Sequence, residues 1–239
     1  MKSGSAKSLR QTARAELGKR DRSILADIAR FRLTTNEMLH ARYFVDSQPN
    51  AVVKVTSRLV RQGWLSAFPL LNRQQYFVAG TRLVKLNGLP ISRSRPLGPQ
   101  SLSMAYAVAK YCFATENVAS LAEESEVRTA FPWMPDELLN GIQLLEPSIA
   151  GTTLRLVRVD LGGTPEHVTK KCLHDLTVRQ TAADFNQLVA HKRFVQVVLT
   201  ASATKQELIQ KTIAARQWPK GMRFQVFVVP ELAQLLAQT

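Results

Sequence analysis

His40, His167, His174 and His191 are the only histidines of this sequence, and no two of them stand in an HxxxH or HExxH arrangement. A metal site on one helix needs ligands about one turn apart. His167 and His174 share a face only at i and i+7, the spacing of a solvated surface pair. Cys112 and Cys172 are far apart and lack CxxC spacing, so both thiols read as small buried hydrophobes rather than as a disulfide or zinc ligands. Gly162-Gly163 falls between a strand pattern and a helix pattern, where phosphate loops form, yet neither GxGxxG nor GxxxxGK[ST] is present. Trp64, Trp133 and Trp218 read as core or strand-end packing. No cofactor and no metal is therefore expected.

The chemistry that the residues do offer is cationic. The net charge is +14. Residues 1–100 hold 18 Lys and Arg against 5 Asp and Glu (+13), and residues 101–239 hold 14 against 13 (+1). Concentrating like charge costs self-repulsion, which a polyanion relieves through phosphate neutralisation and counterion release. The first half thus points to a nucleic-acid partner and the second half does not. At 239 residues with 45% hydrophobic content, two cored domains are expected. No run of about 18 apolar residues and no apolar signal core occurs, so a cytoplasmic protein without a membrane partner is expected.

The elements that must position these cations follow from periodicity. Residues 1–18 read as a basic flexible tail. In RDRSILADIARFRLTTNEMLHARYF, Ile24, Leu25, Ile28 and Phe31 recur at helical spacing, and Thr34 and Thr35 offer an N-cap for a second helix carrying Met38 and Leu39. Pro49 suits the first turn of a third helix running to about Gln62. There Val52, Val55 and Leu59 face inward, leaving Asn50, Lys54, Ser57, Arg58 and Arg61 outside. Gly63 ends that helix, and two short strands follow, Trp64 to Phe68 and Gln75 to Val78, with a turn near Asn72 to Gln74. Three helices and a hairpin form a winged helix-turn-helix, whose third helix enters a major groove while the hairpin tip, with Arg73 and Gln74, follows the backbone. Asn50, Lys54, Ser57 and Arg58 are the candidate base readers, and Arg61, Arg73 and the tail residues Lys2, Lys7, Arg10 and Arg14 the candidate phosphate contacts.

The line RDRSILADIARFRLTTNEMLHARYF, then SRLVRQGWL, then YFVAGTRLVKLNG, resembles the winged-helix half of the replication-relaxation-type proteins of plasmids and integrative elements. The resemblance covers about residues 19–90. It implies a DNA-binding protein acting in regulation, replication or conjugative transfer of a mobile element.

PISRSRPLGPQ reads as a linker at 91–100, and SLSMAYAVAKYCFATE as a buried helix or a dimer helix. EESEVR is acidic and solvated. FPWMPDELLNG, TLRLVRVDLG, FVQVVLTAS and RFQVFVVPE are apolar or alternating runs, separated by helical patterns in HVTKKCLHDLTVRQTAADFNQLVAHK and TKQELIQKTIAARQ. This order implies an α/β domain over 101–239. Its Pro135-Asp136 and Asp160 resemble the restriction-endonuclease-like skeleton, P-D followed by D/E-x-K, in which two carboxylates hold a divalent metal and a lysine assists the attacking water. Gly162 occupies the lysine position, with Lys170 and Lys171 as candidates for a migrated lysine. The expected fold class is thus an α+β winged helix-turn-helix followed by a non-catalytic α/β domain that serves as scaffold and homodimer interface. A metal-dependent nuclease and a module whose basic face meets protein or RNA are the alternatives.

Overall fold

The computed structural model describes residues 17–114 and 119–238. The chain divides into two compact units, Met1–Gly98 and Pro99–Thr239. Lys2, Lys7, Arg10 and Arg14 lie outside the described residues; of the expected tail only Leu17 and Gly18 are seen.

The first unit begins with α1 (Lys19–Phe31), whose Ile24, Leu25, Ile28 and Phe31 are buried. Its Asp21 satisfies the N-cap by accepting from the Gly18 amide at 3.2 Å. A two-residue strand, β1 (Thr34–Thr35), precedes α2 (Asn36–Tyr43), which Thr35 caps by accepting from the Met38 amide. The third helix, α3 (Pro49–Arg61), has Pro49 in its first turn and buries Val52, Thr56 and Leu59. Thr56 takes the fully buried position where the sequence pattern put Val55, which is only half-buried. The Thr56 hydroxyl can sit there because it bonds the Asn36 side chain and the Val52 carbonyl.

The hairpin follows as β2 (Leu65–Pro69) and β3 (Gln75–Ala79), in a three-stranded antiparallel sheet of order β1-β3-β2. Asn72 and Arg73 both have positive φ, 51° and 63°, and the Gln74 amide donates to the Leu71 carbonyl, the geometry of a tight hairpin turn. A short helix, α4 (Thr81–Asn87), then closes the unit over a buried Trp64. Of the stretch read as a linker, residues 91–98 belong to this unit, with a 3₁₀ turn over Ile91–Ser94 and the Leu97 amide donating to the Tyr76 hydroxyl, while Pro99 and Gln100 belong to the second unit.

The second unit carries a five-stranded mixed sheet of order β4-β5-β6-β7-β8. Its elements run α5 (Pro99–Ala114), β4 (Ser120–Leu121), α6 (Glu124–Ala130), β5 (Ile142–Glu146), β6 (Thr153–Val159), α7 (Pro165–Arg179), α8 (Ala183–Ala190), β7 (Phe194–Thr200), α9 (Ala203–Ala214), β8 (Arg223–Val228) and α10 (Glu231–Leu236). β5 is antiparallel to both β4 and β6, and β6, β7 and β8 run parallel through helical connections. EESEVR is largely exposed, as its acidic composition implies, and most of it lies in α6, where only Val127 of the stretch is buried. FPWMPDELLNG is not a strand but a turn with a 3₁₀ segment at Asp136–Leu138. Its apolar residues Phe131, Met134 and Leu138 are nevertheless buried, in one cluster with Leu154, Leu156, Leu176 and Phe185.

On the other face of β6, Arg155 is buried with its guanidinium donating to Glu146, Tyr111 and Gln225 at 2.6–2.9 Å, so its charge is paired and its donors are used. Cys112 and Cys172 are buried free thiols, and burial pushes Cys172 up to about 12. Among the described residues no helix is long and apolar enough to cross a membrane.

Candidate functional site

Asn50, Val53, Lys54, Ser57 and Arg61 fall at i, i+3, i+4, i+7 and i+11 along α3, one stripe of the helix opposite Val52, Thr56 and Leu59. All five are exposed. Lys54 and Arg61 form no ion pair among the described residues. Thr56, held by Asn36 and Val52, fixes the rotation of the helix and therefore which side chains face out. The hairpin tip adds Arg73 and Gln74, both exposed, and a cavity of about 210 Å³ separates this tip from Thr35, Asn36 and Glu37 at the start of α2.

Arg58 behaves differently from the rest of the expected set. It lies at the flank of the stripe, and its Nη2 donates to Asp21 Oδ1 of α1 at 2.7 Å. Asp21 is buried and already bonds the Gly18 amide, so the pair joins α3 to the start of α1. Arg58 is thus engaged inside the unit. No local pattern signals this pair, because the partners are 37 residues apart.

The carboxylates of the nuclease-like reading are each engaged within the second unit. Asp136 is exposed, bonds Arg128 at 2.6 Å, and is held below the usual carboxylate range by that hydrogen bond and charge. Asp160 is buried at the end of β6. It accepts from the Gly162 amide, from the Thr200 hydroxyl at the end of β7, and from Lys205 Nζ of α9 at 2.7 Å. The lysine that meets Asp160 is therefore Lys205, and not Lys170 or Lys171, both of which are exposed on α7. Among the described residues no group of three or more His, Cys, Asp and Glu is placed to hold a metal ion.

No family model, curated protein or solved structure matches this chain. Its function must be argued from these sites alone. In the first unit the donors on α3 are of the kinds that bond base edges and phosphates, namely an amide, an ammonium, a hydroxyl and a guanidinium, on a helix wide enough to fill a major groove. In the second unit a cavity of about 490 Å³ lies beyond the start of β5, between α5 and α7.

Proposed function

We propose that the first unit is a winged helix-turn-helix that binds duplex DNA, with α3 in the major groove and the β2–β3 hairpin along the adjoining backbone. The observation that carries this reading is the single exposed stripe of Asn50, Lys54, Ser57 and Arg61 on α3 in a unit whose hairpin tip presents Arg73 and Gln74. The order helix, strand, helix, helix, hairpin, with the short strand pairing β3, is consistent with it. Asn50, Lys54 and Ser57, toward the N-terminal half of the helix, are the base readers; Arg61, Arg73 and Gln74 contact phosphate; Arg58 sets the angle of α3 through Asp21. The site bound is a regulatory or replication and transfer site of a mobile element, as the sequence resemblance implies.

One such module buries little surface, and a second copy doubles the site. The second unit supplies the homodimer in this reading. β8 lies at the margin of its sheet, and a strand edge is a ready template for pairing. A monomer at tens of micromolar in sedimentation removes that part of the proposal. The test of the whole is a comparison of duplex DNA, single-stranded DNA and RNA at one salt concentration. Duplex preference together with enrichment of a discrete sequence from a random pool supports the reading. Equal binding to all three polymers refutes it and favours a general basic face.

A further inference from the structure

The cavity of the second unit is built at a place where the sheet is incomplete. β5 begins at Ile142, which pairs with Val157, so Arg158 and Val159 of β6 extend beyond β5 and have a strand only on the β7 side. The space beyond the start of β5 is the cavity of about 490 Å³, closed by Gln100 and Met104 of α5 on one side and by Lys171, His174, Asp175 and Val178 of α7 on the other. These α7 residues stand at i, i+3, i+4 and i+7, so one helix face lines the wall. A second cavity of about 170 Å³ shares Arg158, Val159, Leu161 and Lys171 with the first and extends it past Asp160 and Gly163. The groove thus crosses the carboxyl end of a parallel strand, a position where α/β sheets commonly receive ligands.

Its electrostatics are unbalanced in one direction. Asp175 is buried and is the carboxylate for two guanidiniums: Arg158 forks onto it, with Nε to Oδ2 at 2.6 Å, and Arg179 lies 3.9 Å from Oδ1. Arg179 is 4% exposed, and its other bonds go to the carbonyls of Asp175, Leu138 and Asn140, leaving its Nε buried without a partner. Burial pulls the Arg179 guanidinium down from its ordinary value, the physical sign of a cation that is under-compensated where it sits. Lys171, exposed at the same wall, has no ion-pair partner among the described residues. Two arginines and a lysine against Asp175 and the rim residue Glu137 leave a positive site with room for an oxyanion.

The rest of the lining decides what carries that anion. An isolated phosphate is far smaller than this cavity, whose volume lies within the range of about 300–1,000 Å³ of small-molecule pockets. Met104, Ile142, Leu161 and Val178 give it apolar walls, and Gln100 and Asn140 place amide groups at its rim. We infer that this groove binds a nucleoside phosphate, with the phosphate held by Arg158 and Lys171 and the base lying against the apolar walls. Recognition is by side chains, which is why no glycine-rich phosphate loop is needed in the sequence. The ligand is either a free nucleotide or the phosphorylated end of a nucleic-acid strand, both of which present the same group.

The test uses the full-length protein and calorimetric titration with nucleoside 5′-monophosphates, unphosphorylated nucleosides, inorganic phosphate, and short single strands with and without a 5′-phosphate. Saturable binding of a monophosphate, tighter than that of the nucleoside or inorganic phosphate, is expected. A 5′-phosphorylated strand that binds more tightly than both the monophosphate and the same strand with a 5′-hydroxyl identifies a strand end as the source, and one that gains nothing from its 5′-phosphate identifies the free nucleotide. Lys171→Glu and Val178→Glu, both exposed positions, should each weaken the monophosphate by about tenfold or more while unfolding at the wild-type temperature. Gln210→Ala, exposed on α9 and outside the groove, should leave it unchanged. Absence of saturable monophosphate binding at millimolar concentration overturns the inference, as does binding that neither α7 variant weakens. Inorganic phosphate that binds as tightly as the nucleotide overturns the assignment of a base to the apolar walls.

Discussion

The Arg58 guanidinium donates to the Asp21 carboxylate at 2.7 Å and so ties the third helix of the first unit to the first. Asp21 is the less replaceable partner because it also accepts from the Gly18 amide at the start of α1. Asp21→Ala should therefore destabilise the unit more than Arg58→Ala, and a double-mutant cycle should show a coupling of about 1 kcal/mol, the scale of a partly exposed ion pair. On DNA, Arg58→Ala should weaken a preferred and a random duplex to a similar degree, because it loosens the placement of α3 rather than removing a base contact. A loss confined to the preferred duplex would return Arg58 to the base-reading set.

Arg61 and Arg73 carry a different expectation. Each is exposed and has no ion-pair partner among the described residues, so neither is costly to remove from the fold. Replacing either by Ala should weaken binding uniformly across sequences and reduce the slope of log K against log salt by about 1. The tail is tested by deleting residues 1–16 rather than 1–18, because Leu17 is buried and Gly18 caps α1. An unchanged salt slope on any of these variants removes that segment from the phosphate contacts.

The helices and hairpin of the first unit were legible because their signals are local: apolar spacing in α1 and α3, Pro49 at a helix start, Gly63 after a helix end, and Asn72 at the turn. β1 was not, since two threonines become a strand only through pairing with Phe77 and Tyr76. β5 was missed for a similar reason. IQLLE is short and follows an apolar stretch, FPWMPDELL, that sequence patterning reads as the strand in its place. The sites divide in the same way. Spacing along one helix shows the exposed stripe of α3. The Arg58 to Asp21 pair, the sharing of Asp175 by Arg158 and Arg179, and the approach of Lys205 to Asp160 arise from packing between distant segments.

Gly80 is where the hairpin meets α4, and it is fixed by its surroundings. Its amide donates to the Trp64 carbonyl, and a Cβ at this position would lie 2.4 Å from the Gly63 carbonyl oxygen and 2.6 Å from the Trp64 carbonyl carbon. Those atoms are backbone and cannot rotate aside as a side chain would. Gly80→Ala should cost roughly 2–3 kcal/mol in denaturant unfolding, the upper part of the usual range for overpacking. Wild-type stability in this variant would mean that Gly80 and the Gly63–Trp64 backbone lie further apart.

Acid should loosen the end of the chain by a route that can be isolated. Lys110 of α5 bonds Glu231 of α10 at 2.9 Å. Burial by itself raises the Glu231 carboxyl, but the bonds and charge from Lys110, with help from the backbone and Tyr106, outweigh it and hold the group below the usual range. A depressed carboxylate contributes stability above its unfolded value of about 4.3 and loses that contribution as pH falls through the folded value. The stability gap between wild type and Glu231→Gln should thus be full near pH 7 and close below about pH 4. A gap that stays constant across that range would show that the pair contributes packing and not charge.

The last expectation separates a structural from a metal-binding role for Asp160. Its carboxylate is buried and accepts from Lys205, Thr200 and the Gly162 amide, so the ends of β6 and β7 and the first turns of α9 converge on it. Removing such a group leaves the Lys205 ammonium, itself only partly exposed, without its carboxylate. Asp160→Ala should therefore lower stability by about 2–4 kcal/mol, and Asp160→Asn by less because it keeps the Thr200 contact. Asp136→Ala should leave stability nearly unchanged, since the pair it forms with Arg128 is at the surface. If the two carboxylates instead share a divalent metal, magnesium or manganese will raise the unfolding temperature of the wild type, and either substitution will abolish the rise. Plasmid nicking that needs the metal and disappears in both variants would establish the nuclease reading and remove the scaffold role proposed for the second unit. An unfolding temperature that does not respond to metal, together with a marked loss of stability in Asp160→Ala alone, is the result expected from the Lys205 and Thr200 contacts.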